Sequence, residues 1–317
     1  MKARAAGLAL AGTLLAACAL LRGPDHPRPG PVRLGPERLA IHYPDPYAAE
    51  KQALLERINR DREGHGVAPV AYEPRAALVG DLFCRASARA GTRGHWDAEG
   101  RAPYVRWGQA GGLDYHAQNA ASYSSSAGTL TVPLLDLLLG RHEAMMAEQP
   151  PDDGHRRTIL DPLLTHVGIG VGAEGGEFRM TEEFTRVAFE WIELTRGPVT
   201  PGATVVLAAK PLPGWDVGLV EVRHEPPPRP ILPRDPRFLG GYAYPSLVRA
   251  LRPEPASGFV YAGGGRGEFS CGRGGRFSVS FRLDQGPGAY VVLCYVRRRG
   301  HWEETMGPAT AALVVAG

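Results

Sequence analysis

The apolar residues of this chain change their period once, and that change sets what it can fold into. Before Arg196-Gly197-Pro198 they recur at helical spacing between short strand-like runs, and from Val205 on they alternate between turns. A period of 3.6 demands helices laid on a sheet, and a period of 2 demands half-buried strands. The chain therefore reads as a mixed α/β unit followed by an all-β sandwich-like unit at 200–317. Its 317 residues suffice for two ordinary domains. Tyr47 to Arg62 predicts a helix on Leu54, Leu55 and Ile58, ended by Gly64 and Gly66. Pro74 opens a second helix with Leu78, Leu82 and Ala86 at four-residue steps, and Pro133 a third that runs to Met146. Asp153 can cap a short helix from Gly154, and Gly91 to Ser126 reads as ordered loops. Val167–Val171, Phe178–Thr185 and Val187–Ile192 read as strands of the first unit. In the second, Phe277, Val279 and Phe281 alternate with Ser278 and Ser280.

The N-terminus carries an address. Lys2 and Arg4 precede an apolar stretch from Ala5 to Leu15, too short to span a bilayer and typical of a signal-peptide core. Leu15-Ala16-Ala17-Cys18 resembles the bacterial lipobox, so residues 1–17 are expected to be removed and Cys18 acylated. Prolines recur through 18–46, as in an extended tether. The expected protein is exported and membrane-anchored in the cell envelope. Loss of Lys2 and Arg4 lowers the net charge from +3 to +1. With no clustered basic face, that argues against a nucleic-acid partner. Export permits disulfides, and Cys271 and Cys294, on neighbouring strand-like segments, are the candidate pair. Cys84 reads as a buried core thiol.

Four pieces of the first unit fall in a recognisable order. They are Leu54–Arg62 with Gly64-His65-Gly66, then Gly94-His95 with Gly100, Pro103 and Arg106, then Gln118-Asn119-Ala120, then Gly154-His155-Arg156-Arg157 with Val167-Gly168-Ile169-Gly170 behind it. Together they resemble the CAP superfamily of cysteine-rich secretory, antigen 5 and pathogenesis-related proteins, over roughly 47–196. The resemblance implies a three-layer α-β-α sandwich with two histidines and two acids in a cleft. His95 and His155 match the histidines. Gln118 stands where an acid is expected, and Glu143 and Glu148 are both candidates for the second. Arg106 and Asn119 are expected as structural supports, and His142 as partly exposed packing.

An amide can hydrogen-bond but can neither carry charge nor take a proton as a base. Gln118 therefore favours a non-catalytic module that binds lipid, glycan or peptide. The alternative is a metal-dependent hydrolase, with His95 and His155 as possible zinc ligands and Glu143 or Glu148 as base. A third reading is a purely structural lipoprotein. Ser124-Ser125-Ser126 lacks nucleophile-elbow glycines, and Gly263-Gly264-Gly265 lacks the lysine of a phosphate loop. Arg297-Arg298-Arg299 reads as a solvated strand end.

Overall fold

A computed structural model of the chain describes residues 45–195, 198–232, 235–255, 257–301 and 306–317. The expected leader, Cys18 and all but the last two residues of the tether lie outside the described residues. Among the described residues no helix is long and apolar enough to cross a membrane.

The first unit is a three-layer α-β-α sandwich. Helix α1 (Ala48–Gly64) buries Leu54, Leu55 and Ile58. Strand β1 (Ala71–Tyr72) follows, then α2 (Pro74–Ala90), with Pro74 in its first turn and Gly91 (φ 66) ending it. Helix α3 (Pro103–Gln109) and strand β2 (Tyr115–Ser124) lie in the segment expected to be loops. Helices α4 (Leu134–Met146) and α5 (Gly154–Ile159) precede β3 (His166–Glu174) and β4 (Glu177–Arg186). The sheet runs β1-β3-β4-β2, antiparallel except for β1 on β3, and leaves β2 at an edge. Val167, Ile169, Phe178 and Met180 face α1 and α4 across one core. The opposite face carries α2 and α3.

Helix α2 does not bury the face its leucines suggested. Leu82 is 56% exposed, while Ala76, Ala77, Gly80, Cys84 and Ser87 face the sheet. The reason lies in β3, which turns Gly168, Gly170 and Gly172 toward the helix. A Cβ on Gly80 would stand 2.7 Å from the Gly170 Cα. At that separation only small residues fit, and the large ones turn outward. The buried Cys84 thiol lies 3.7 Å from the Thr181 hydroxyl, and burial pushes it far above its usual pKa.

The second unit begins one strand earlier than its composition suggested. Strand β5 (Phe189–Leu194) leaves the first sheet and pairs with β7 (Thr204–Pro211), which also pairs with β10 (Phe277–Arg282). The division falls near Val187, not at 196. The facing sheet runs β6 (Pro198–Val199), β13 (Ala312–Ala316), β11 (Gly288–Arg298), β8 (Trp215–Glu225), β9 (Ser246–Leu251), with β12 (Gly307–Pro308) on β11. The two sheets close on Leu207, Val220, Phe277, Val279, Phe281, Val292 and Val314. The expected disulfide is not formed. Cys271 is exposed where the chain enters β10, whereas Cys294 points into the core from β11 of the other sheet.

The two units are welded together. Val291 and Leu293, on the outer face of β11, pack with Ala311 against Ala102, Tyr104 and Val105 of the first unit. Gly108 of α3 lies so close to Leu313 that a side chain there would overlap it. The Tyr115 N–H donates to the Ala309 carbonyl at 3.1 Å, and the Ala311 N–H to that of Leu113 at 3.2 Å.

Candidate functional site

The site grows from two adjacent carboxylates on β4. Successive residues of a strand point to opposite faces, so Glu182 and Glu183 leave the sheet in opposite directions. Both are fully buried. On β2, Asn119 pairs with Glu182 and Gln118 with Glu183 in register. The same alternation that separates the acids therefore gives each its own amide.

On the α2 and α3 face, Glu183 accepts from Gln118 Nε2 at 2.8 Å and from His116 Nε2 at 2.8 Å. Burial opposes its charge, but the His116 contact and the Arg106 field outweigh it, and the carboxyl lies below its usual pKa. A carboxylate needs donors, and that fixes the Gln118 amide with its nitrogen toward Glu183. The amide oxygen then faces His95 Nδ1 at 2.9 Å, so Nδ1 must carry the hydrogen. Burial holds His95 below the usual imidazole pKa, against the raising effect of the Gln118 contact. The neutral ring therefore keeps its lone pair on Nε2, which has no hydrogen-bond partner among the described residues.

His155 stands opposite, at the start of α5. Its ring is nearly parallel to that of His95, with centroids 6.4 Å apart. Of the two candidate acids, Glu148 bonds His155 Nδ1. It also accepts from the backbone N–H of His155 at 3.0 Å and of Arg156 at 3.4 Å. Glu148 thus caps α5, a role the sequence offered to Asp153. The Asp153 side chain instead pairs with Arg157 at 3.0 Å. Glu143 points elsewhere, to Arg57 at 2.7 Å.

Behind the sheet, Glu182 accepts from His142 Nδ1 at 2.7 Å and from Asn119 Nδ2 at 3.0 Å. Asn119 also donates to the His155 carbonyl at 3.2 Å. His142 Nε2 lies 3.0 Å from Asp61 of α1. His142 is fully buried, not partly exposed as its place in a helix suggested. Burial works against its charge, but Glu182 and Asp61 outweigh it and raise its pKa. This set ties α1 and α4 to the sheet and holds His155 through its backbone.

Arg106 is 8% exposed. Its Nη1 donates to the Arg101 carbonyl at 2.7 Å, and the guanidinium lies 4.0 Å from the Phe83 ring centroid. Its Nε and Nη2 are buried without hydrogen-bond partners among the described residues. Burial lowers its pKa, and the charges of Glu183 and Asp97 oppose that effect.

On a third side, the second unit packs against His95. Tyr242, from the connection between β8 and β9, sets its ring 5.0 Å from that of His95. Its hydroxyl accepts from the Gln118 backbone N–H at 2.8 Å. Tyr244 donates to the His116 carbonyl at 3.2 Å and stacks on Tyr104 at 4.9 Å. A separate groove at Tyr115, Arg157 and Asp161 includes neither cleft histidine.

No protein-family model and no curated protein matches this sequence. Among solved structures, an extracellular protein containing an SCP domain from Bacillus anthracis is similar at 17% identity, with a TM-score of 0.34. The match covers 44% of this chain and 40% of that one, less than half of either.

A catalytic zinc takes three protein ligands and leaves one position open. Here His95 and His155 each offer one free nitrogen, Glu148 is occupied by His155 and the helix cap, and Glu183 by His116 and Gln118. Among the described residues no three His, Cys, Asp or Glu side chains gather in a metal-binding group. The residues present do not fit a catalytic zinc site. Sequence reasoning missed Glu183, His116, Glu182 and Tyr242. The two acids carried a signal, since consecutive glutamates inside a strand must place one charge on each face. Tyr242 carried none, because its role depends on the distant path of a loop.

Proposed function

We propose that this chain is an exported, lipid-anchored protein of the cell envelope whose CAP-like unit binds a ligand without cleaving it. The observation that carries this is the Gln118 amide, held between His95 and Glu183. A carboxylate base at position 118 would need a proton-accepting oxygen free and within reach of substrate. The position is instead filled by a neutral group with both ends engaged. The nearest carboxylate beneath it is buried and fully partnered. What remains is recognition chemistry: the outward imidazole nitrogens of His95 and His155, the aromatic face of Tyr242, and a rigid hydrogen-bonded floor. Such a surface suits a ligand that brings donors and a flat or apolar group.

The test uses purified full-length protein. Turnover of peptide and ester substrates is measured with and without Zn²⁺, beside calorimetry with Zn²⁺. The expectation is no turnover and no stoichiometric zinc uptake. Zinc-dependent hydrolysis that disappears in His95→Ala and His155→Ala would establish the hydrolase instead. Acylation at Cys18 is checked by labelling with a fatty acid, which Cys18→Ala should abolish.

A further inference from the structure

Strands β8 and β9 are antiparallel neighbours. Two to five residues ordinarily join such a pair. Here residues 226–245 do so, and their described parts, 226–232 and 235–245, leave the second unit to cross the first. The Ile231 N–H donates to the Ala98 carbonyl at 3.0 Å, and Ile231 and Phe238 are buried. Gly100 (φ 77) accommodates the Arg229 carbonyl, and Gly94 (φ 76), the residue before His95, accommodates that of Phe238. A Cβ at either glycine would overlap the strap. From Gly241 to Tyr244 the exposure alternates: Gly241 and Ala243 face out, while Tyr242 and Tyr244 turn in. Past a 3-10 turn at Pro236–Leu239, the strap therefore runs extended from Gly241 to Tyr244, with alternate side chains inserted beside His95 and Tyr104.

We propose that the cleft is a receptor for extended, tyrosine-bearing peptide segments flanked by proline, and that the strap is its ligand in cis. This rests on the binding reading above and names its ligand class. The chemistry on the page is that of peptide recognition. A tyrosine ring lies against His95, its hydroxyl takes the Gln118 N–H, and a second hydroxyl two residues on gives to the His116 carbonyl. The two contacts satisfy outward-facing backbone groups of the edge strand β2, the usual place for an added peptide. A segment of like spacing from another chain would meet the same groups once the strap lifts.

Gly240 and Gly241 are exposed and have room about them, so a protease recognition sequence can be inserted between them. The probe is a fluorescent synthetic peptide of residues 235–245. Cleavage of the inserted site in the full chain should tighten its binding at least tenfold over the uncut protein. A peptide with both tyrosines replaced by alanine should lose that gain, and so should cleaved protein carrying His95→Ala. Hydrogen exchange reports whether the cut strap leaves. If the strap leaves and the peptide binds no tighter, or binds equally without its tyrosines, the proposal falls. A strap that stays protected after cutting and resists saturating peptide also overturns it, because it is then a fixed wall. Lipid or glycan binding to the opened cleft, without peptide binding, would sink this assignment and leave the binding reading standing. Zinc-dependent hydrolysis would sink the binding reading itself.

Discussion

Placing an acid at position 118 should damage the protein in a pH-dependent way. In Gln118→Glu the donor 2.8 Å from Glu183 Oε1 becomes a second carboxylate in a fully buried place. Two carboxylates with charge centres about 4 Å apart repel by about 4 kcal/mol at an effective dielectric of about 20. That equals roughly three decades of proton affinity at 1.36 kcal/mol per pK unit, so the pair holds a proton well above the pH at which a lone carboxyl would lose it. The sign follows from linkage: a proton affinity raised on folding gives stability that is full below the unfolded pKa and lost as pH rises through the folded one. The variant should match wild type in urea unfolding near pH 4 and fall behind by up to about 4 kcal/mol by pH 8.5. His95 already donates to this position through Nδ1 and can take the proton itself. The pH signature is the same, and the His95 C2–H resonance tells which group holds it. A stability gap that is equal at pH 5 and pH 8.5, or absent at pH 8.5, would refute the reasoning.

Removing His142 by His142→Ala leaves Glu182 buried without its main partner and should cost about 3–5 kcal/mol in urea unfolding. Because the His142 pKa is raised, its contribution is full below the unfolded imidazole value of about 6.5 and lost as pH climbs through the folded value. The wild-type advantage over the variant should therefore shrink from pH 6 to pH 9. Gly170→Ala would drive a Cβ into the Gly80 backbone of α2 and should cost about 1–3 kcal/mol, read as a lower melting temperature. Gly140→Ala, in α4 with nothing within 4 Å, should instead gain up to about 1 kcal/mol. Of Cys84, Cys271 and Cys294, only Cys271 should react promptly with a thiol reagent at pH 8 in the native state. Burial pushes Cys294 up to about 12, and Cys84 is fully buried.

Helices α1, α2 and α4 were legible because their signals are local. Prolines and glycines mark the ends of α1, α2 and α4, and each helix stands where its period placed it. What failed was the choice of face on α2, because burial there follows the glycine stripe of β3 and not hydrophobicity. Strand β2 was missed because Gln118, Asn119 and Ser122 break the apolar alternation a half-buried strand would show. It is a strand because β4 pairs with it, and its polar residues are the site. Strand β5 carries the pattern of any strand, and sheet membership is not written in pattern. His95, Gln118 and His155 could be singled out from order along the chain. The partners that set their protonation come from elsewhere in space, and the spacing of Cys271 and Cys294 did not reveal that one lies before β10 and the other on β11 of the opposing sheet.

A sheet ends safely only if its last strand offers nothing for a further strand to copy. Here β2 is finished in part by phenol groups, Tyr242 taking one amide hydrogen and Tyr244 giving to one carbonyl. A neighbouring strand would satisfy the same groups but present a fresh row of its own, whereas a hydroxyl propagates nothing. The tail beyond Val187 is therefore also the terminator of the first unit's sheet. An isolated first unit would carry an open seam at β2 beside the bared apolar face of α3. Seams of that kind close by pairing with copies of themselves, so the shortened protein should come off a sizing column as oligomers.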